Sequence, residues 1–391
     1  MDVMQGELFE PAKLILRDAL VGKDGRVPLI LIGCGRDKLS TAAPARNLYT
    51  SDRFRNSLAL ARDLGAPCLI MSAKYGVVEP DRILEPYDLD LSTLSDADQR
   101  SWAEQAIDQL ARRAEGRTIS VLAIGAYARP LLEANRARPQ ALEIIVPWLD
   151  LETPDRLVWL NEAHRMAARI GDLDRLYGWI DAERETGRVF SFADLSMSVV
   201  PKRGVYIFLD PTERNFRSKA HRVVRIGTHA VSAGSQASLR GRLRTHLGPA
   251  NEIGNHRGSI FRLHVGRAML EAGLGQTNLP TWGEGQDADP KIKAFEQAHE
   301  IAVSRYLQQL QVVLLDIDDE PSKDSMRARV EMQLIALFSD AMRPIDLPTS
   351  GWLGLQSPMA PIRQSGLWNI RGVGGKYDPS GVGSIAALLK A

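Results

Sequence analysis

Apolar and polar positions follow two different rhythms along the chain. Between residues 26 and 149, short apolar runs alternate with longer segments that read as helices. Leu29-Ile30-Leu31-Ile32, Cys68-Leu69-Ile70-Met71, Ile119 to Ile124 and Ile144-Ile145-Val146 are the runs, each of strand length. Ser51 reads as the N-cap of a helix through Leu64, and Ser95 with Asp98 as a capping box for a helix to Ala114. A further helix follows Tyr127. Apolar strands separated by helices predict an α/β domain with a mainly parallel sheet covered on both faces.

Residues 150–200 read as an acidic helical connector. Leu157, Leu160, His164 and Ala168, then Leu173, Leu176, Trp179 and Ile180, recur at helical spacing. From residue 201 the rhythm changes. Val205 to Leu209 and Val223 to Gly227 predict strands, Ser235 caps a helix to about Leu247, and Ile260 to Val265 alternate as another strand. Leu270 to Pro290, rich in Gly, Asp and Pro, predicts a loop. Lys291 to Leu310 reads as a helix, Val312 to Ile317 as a strand and Ser325 to Met342 as a helix, with an irregular tail from Pro344. Residues 201–391 thus form an α+β domain with a small central sheet.

A chain of 391 residues is long enough for two full cores. The longest apolar run, near Val27 to Ile32, is too short to span a bilayer, so no membrane partner is expected. Residues 1–11 are acidic and lack an apolar signal core, which argues against secretion. Cys34 and Cys68 are the only cysteines, too few for a thiolate zinc site or a disulfide framework and suited to a reducing cytoplasm.

Net charge is +1, but it is unevenly spread. Residues 201–267 hold 13 Lys/Arg against Asp210, Glu213 and Glu252, a net of +10, which leaves −9 for the rest. Five of the seven histidines fall in the same block: His221, His229, His246, His256 and His264. Such a field suits contact with nucleic-acid phosphates. A solvated basic face is the plain alternative.

Within this block Gly204-Val205-Tyr206 and Arg225-Ile226-Gly227 end up on two predicted strands, followed by Leu239 to His246, LRGRLRTH. Arg242 and His246 are four apart on one helix and face one side. Arg242 can hold a phosphate in a fork, His246 can orient a water, and Tyr206 can relay a proton. Glu331, at the margin of the stripe Val330, Leu334 and Phe338, can hold a hard cation that keeps most of its waters. Each residue alone has a bland reading as a strand tyrosine or a solvated helix residue.

The order and spacing resemble the GIY-YIG nuclease family over about residues 201–391, with a familiar helical lead-in around Asp174 to Glu185. Val223 to His229, Asn255 to Leu263 and Ser365 to Asn369 look like a bacterial branch of it. The resemblance implies a metal-dependent endonuclease with Tyr206, Arg242, His246 and Glu331 as catalytic residues and Glu331 as ligand to Mg²⁺ or Mn²⁺. It implies DNA as partner, double-stranded DNA ahead of RNA. Arg225, Arg240, Arg244, His256, Arg257 and Asn369 are then candidates for holding substrate. The chain departs from the pattern at Arg225, where the family has a second tyrosine, and that role either lapses or moves, with His229 as the candidate. Phe338-Ser339-Asp340 and Trp368 to Gly372 depart as well. A DNA-binding or nucleotide-sensing protein with a degenerate nuclease domain is the alternative.

In the first domain three clusters follow predicted strands: Gly33 to Lys38, Ser72 to Gly76 and Gly125 to Tyr127. Ligands bind at that edge of open α/β sheets. Cys34, Lys38, Tyr49, Ser72, Lys74, Tyr75, Glu85 and Tyr87 are the candidate binding residues. Lysines and glycine-turn amides can hold phosphate and tyrosines can stack on bases, while ordinary turn chemistry explains any one cluster. The stretches GCGRDKL, ARNLYTSDRF, SAKYGVV and EPYDL resemble a poorly characterised bacterial α/β family, loosely similar to YaaA-type proteins. Two roles follow: a glycosylase that excises a modified base, with Asp37, Glu85 or Asp88 as its acid, or a module that reads modified DNA or a nucleotide and licenses cutting. Restriction of foreign DNA, an antiviral defence, is the setting this pairing suggests.

Overall fold

The computed structural model describes residues 10–217, 220–249, 253–276 and 278–381. Residues 382–391, the end of the sequence-defined second domain, lie outside the described residues. The chain divides into two units, Met1–Gly171 and Asp172–Ala391.

The first unit opens with α1 (Glu10–Val21), β1 (Leu29–Gly33), β2 (Ala43–Pro44), α2 (Ala45–Leu48) and α3 (Asp52–Asp63). It continues with β3 (Cys68–Ser72), β4 (Gly76–Val78), β5 (Ile83–Leu84) and α4 (Asp96–Arg113). β6 (Ile119–Leu122), α5 (Gly125–Arg136) and β7 (Ile144–Ile145) follow. The main sheet has five strands in the order β4-β3-β1-β6-β7. All pairings are parallel except that of β4, an antiparallel edge. Every residue of β1 is buried, as cover on both faces requires. The helix starts follow from their capping residues: Ser51 accepts from the Phe54 amide and Ser95 from the Asp98 amide. From β1 the chain crosses to β3 on one side, and from β6 to β7 on the other. The switch point, and with it a crevice at the carboxyl ends, therefore lies between β1 and β6.

α6 (Thr153–Glu185) is one uninterrupted helix, and the division between the units falls inside it. The second unit adds β8 (Val189–Ser191), β9 (Gly204–Arg214), β10 (His221–Gly227), α7 (Leu239–Leu247), α8 (Ile260–Glu271) and α9 (Pro290–Gln308). β11 (Gln311–Asp316), α10 (Met326–Ser339) and α11 (Ala360–Ser365) complete it. Its sheet is antiparallel throughout, in the order β10-β9-β11-β8. Phe208, Phe261, Val265, Leu307, Trp352 and Trp368 are among the side chains of its core.

The segment Ile260 to Val265, expected as a strand, is the start of α8. Ser259 caps it by accepting from the Arg262 amide at 3.2 Å. The alternation misleads because its polar members are not on a wet face: Arg262 is 0% and His264 5% exposed. Arg262 spends its donors on Glu300 and Ser304 of α9. The tail from Pro344 is not wholly irregular either, since α11 and a short 3-10 turn at Leu353–Gln356 lie in it. Among the described residues no helix is long and apolar enough to cross a membrane.

Candidate active site

Tyr206 lies on β9 with strands on both sides, opposite Gly227 of β10 and Leu314 of β11. A Cβ at position 227 would sit 2.2 Å from the Tyr206 hydroxyl, so only glycine leaves room for the phenol. The Tyr206 hydroxyl lies 3.0 Å from His246 Nε2. On the far side of the ring, Nδ1 lies 2.7 Å from Ser259 Oγ. Tyr206 is 1% and His246 0% exposed, so the pair is sealed from bulk water. Burial holds the His246 pKa well below its usual value, and Arg225, Arg242 and Arg262 lower it further. The imidazole is therefore neutral and carries one donor and one acceptor.

Arg262 fixes this arrangement from behind. Its guanidinium donates to the His246 and Leu247 carbonyls at 3.0 and 3.3 Å, satisfying the last turn of α7, and to Glu300 Oε2 at 2.7 Å.

Glu331 sits on α10. The Thr228 amide donates to its Oε1 at 3.2 Å, and Thr228 Oγ1 in turn donates to the Gly204 carbonyl at 2.7 Å. Burial raises the Glu331 pKa, while Arg225, the Thr228 amide and Arg242 pull it back. Arg225 is 7% exposed. It donates to the Trp368 carbonyl at 2.7 Å and lies 4.5 Å over the Phe261 ring, while its Nε is buried without a hydrogen-bond partner. Arg225 and Arg242 thus lower the pKa of both His246 and Glu331.

The other candidates fall elsewhere. His229 faces Arg327, Arg203 and Asp319, and burial followed by those arginines lowers its pKa to about 4. His256 pairs with Glu300 at 2.9 Å, accepts from the Gly283 amide at 3.0 Å and stacks on Trp282. Arg257 binds both oxygens of Glu296, at 2.6 and 2.9 Å. Asn369 brackets Ile226, accepting from its amide at 3.1 Å and donating to its carbonyl at 2.8 Å, in the manner of an added strand. Arg240 donates to the Val200 carbonyl at 2.8 Å. Arg244 is exposed on α7. The basic block is accordingly narrower than its count: Arg222 and Arg262 are also spent on buried carboxylates, those of Glu213 and Glu300.

Ser259, Arg262 and Thr228 escaped the residue-level reading. Ser259 and Arg262 lie inside the stretch Asn255 to Leu263 that carries the family resemblance. Thr228 lies inside the stretch Val223 to His229 that carries it as well.

In the first unit the three strand-end clusters do meet at the crevice. Cys34 Sγ donates to Tyr127 Oη at 3.4 Å across the β1–β6 gap. Beside it the Tyr87 hydroxyl lies 3.0 Å from that of Tyr49 and 2.7 Å from Ser72 Oγ. Lys38 Nζ sits 4.4 Å over the Tyr87 ring. Burial raises the pKa of Tyr49, Tyr87 and Tyr127. Tyr75 donates to the Glu85 carbonyl at 3.2 Å, and Lys74 lies 5.2 Å over the Tyr75 ring. Asp37, Glu85 and Asp88 are exposed.

A family model described as "GIY-YIG domain" matches residues 167–391. A second, described as a family of unknown function (DUF6884), matches residues 29–162. No curated protein and no solved structure matches the chain.

Proposed function

Because the chain belongs to the GIY-YIG domain family, we propose that its second unit is an endonuclease that cuts double-stranded DNA with one divalent cation, Mg²⁺ or Mn²⁺. The observation that carries this reading is the Tyr206–His246 pair at 3.0 Å, with Tyr206 opposite Gly227 and the next residue, Thr228, holding Glu331 through its amide at 3.2 Å. Among the described residues no group of three or more His, Cys, Asp or Glu side chains is placed to hold a metal. A hard cation needs less: one carboxylate and its own waters. Glu331 fits, because Thr228 occupies only Oε1 and none of the described residues donates to Oε2. A cation bound there would supply Lewis-acid stabilisation of the phosphate.

The chain's own residues divide the remaining work by exposure. Arg242, partly exposed and without an ion pair among the described residues, takes the phosphate in a charge-assisted fork. Neutral His246 holds the Tyr206 hydroxyl through Nε2 and orients it for proton transfer to or from the attacking water. Ser259 and Arg262 keep the ring turned for that transfer. Arg225 stands at the position of the missing second tyrosine and holds charge balance between His246 and Glu331.

For the first unit we propose recognition of a nucleotide or modified base that licenses the cut, with restriction of foreign DNA as the setting. The likeness of its motifs to YaaA-type proteins belongs to this reading. Base excision is disfavoured by the exposure of Asp37, Glu85 and Asp88, since the buried groups of the crevice are phenols, a hydroxyl and a thiol. Two free cysteines agree with a cytoplasmic setting. Arg225 in place of a phenol favours a second reading, a DNA-binding protein that does not turn over.

Plasmid cleavage in Mg²⁺ separates the two. The endonuclease reading expects nicking that Glu331→Gln abolishes while binding persists. Salt-dependent binding with no cleavage by the wild type in either Mg²⁺ or Mn²⁺ would leave only the second reading.

A further inference from the structure

His246 is buried and neutral, and its ring is wedged among others. Tyr206 and Phe261 meet the imidazole edge-on, with ring centroids at 5.6 and 5.7 Å, and Phe208 stands at 6.5 Å. What remains to be set is which ring nitrogen carries the proton. Ser259 Oγ lies 2.7 Å from Nδ1 and Tyr206 Oη lies 3.0 Å from Nε2. A neutral imidazole donates from one nitrogen and accepts at the other. The two tautomers therefore point the hydrogen bond between His246 and Tyr206 in opposite directions.

The protons at Ser259 decide between them. Ser259 is 0% exposed and caps the start of α8. Its Oγ accepts from the Arg262 amide at 3.2 Å, so the helix start fixes where the oxygen stands. Among the described residues, His246 Nδ1 is the one acceptor that the Ser259 O–H meets. A proton on Nδ1 would turn that O–H away and leave a buried donor unmatched, which is the costlier arrangement. The O–H therefore donates to Nδ1, the ring proton sits on Nε2, and Nε2–H donates to Tyr206 Oη. The lengths follow the same order, since hydroxyl donors make the shorter bonds and N–H donors the longer. Tyr206 Oη makes no second hydrogen bond among the described residues, so its own proton is left for a ligand.

We propose that Ser259 is a positioning residue that sets the His246 tautomer, so that Tyr206 receives a hydrogen bond from His246 and exchanges its own proton with the attacking water or the phosphate. His246 is then a donor that aims the phenol, not the base that deprotonates it. The catalytic consequence rests on the endonuclease reading of the same centre; the tautomer does not.

The test is NMR of the imidazole nitrogens in the full chain, isotope-labelled at histidine and free of DNA. The His246 signals are identified by their loss in His246→Gln. The proton is expected on Nε2 and absent from Nδ1. Ser259→Asn and Ser259→Asp are matched in shape, and both side chains can cap α8. Asn keeps an N–H donor for Nδ1, whereas Asp has only acceptors and draws a proton onto Nδ1. In a nicking assay Ser259→Asp is expected to lower kcat about 100-fold with KM unchanged. Ser259→Asn and Ser259→Thr, which keep a donor, hold the wild-type tautomer and most of the rate. A proton on Nδ1 of the wild type overturns the assignment, whatever the variants do. Nε2 protonation alone in a folded Ser259→Asp protein, or equal loss of kcat in the Asp and Asn variants, leaves Ser259 only its cap and overturns its role. A wild type that cuts no DNA sinks the endonuclease reading alone, because the spectra need no substrate.

Discussion

A phenol at 1% exposure cannot take a proton from bulk water, so the role of Tyr206 depends on what replaces its solvent, namely His246 Nε2 at 3.0 Å. Tyr206→Phe is expected to lower kcat about 100-fold in a nicking assay with DNA affinity retained. The pH profile belongs to Glu331. Its folded pKa is raised, chiefly by burial, so cation binding competes with a proton held longer than usual. Cleavage at limiting Mg²⁺ should therefore climb with pH through the acidic range, and more Mg²⁺ should move the rise to lower pH. Arg225→Tyr restores the family's residue yet leaves the Trp368 carbonyl without its donor, a loss of about 1–3 kcal/mol visible in chemical denaturation. Tyr206, Arg242, His246 and Glu331 were singled out by the order and spacing of the family resemblance, since each alone reads as an ordinary strand or helix residue. Thr228 and Ser259 were not, since a small hydroxyl in a loop carries no periodicity and its partner is fixed only by the fold.

The elements show where such reading succeeds. α3 and α4 were legible at their starts because Ser51 and Ser95 cap by local bonds to amides three residues on. α8 was misread because burial of Arg262 depends on Glu300, 38 residues away in the chain. Period alone cannot distinguish a wet arginine from one paired across helices. Two tests belong at this scale. Gly227→Ala puts a methyl 2.2 Å from the Tyr206 hydroxyl, and β9 and β10 must separate or the phenol must leave His246. A destabilisation of about 3 kcal/mol in urea is expected. Asn369→Leu removes both bonds to Ile226 and should cost about 2 kcal/mol, with the larger effect in unfolding of the second unit.

For the whole molecule, acid stability follows from buried histidines. Burial lowers the pKa of His229 and His264 to about 4 each, below the ordinary 6.5. The unfolded chain then binds more protons than the folded one between pH 4 and 6.5, so stability is present above that window and falls as pH drops through it. His264→Gln is expected to flatten the decline of Tm with acid; an unchanged slope in both His264→Gln and His229→Gln would refute the assignment. The inner position of β9 has another consequence. Residues Val205 to Leu209 are enclosed by β10 and β11 and almost wholly buried. Their amides can meet solvent deuterium only when the second unit opens as a whole. Tyr206 thus rides on the slowest-exchanging part of its unit.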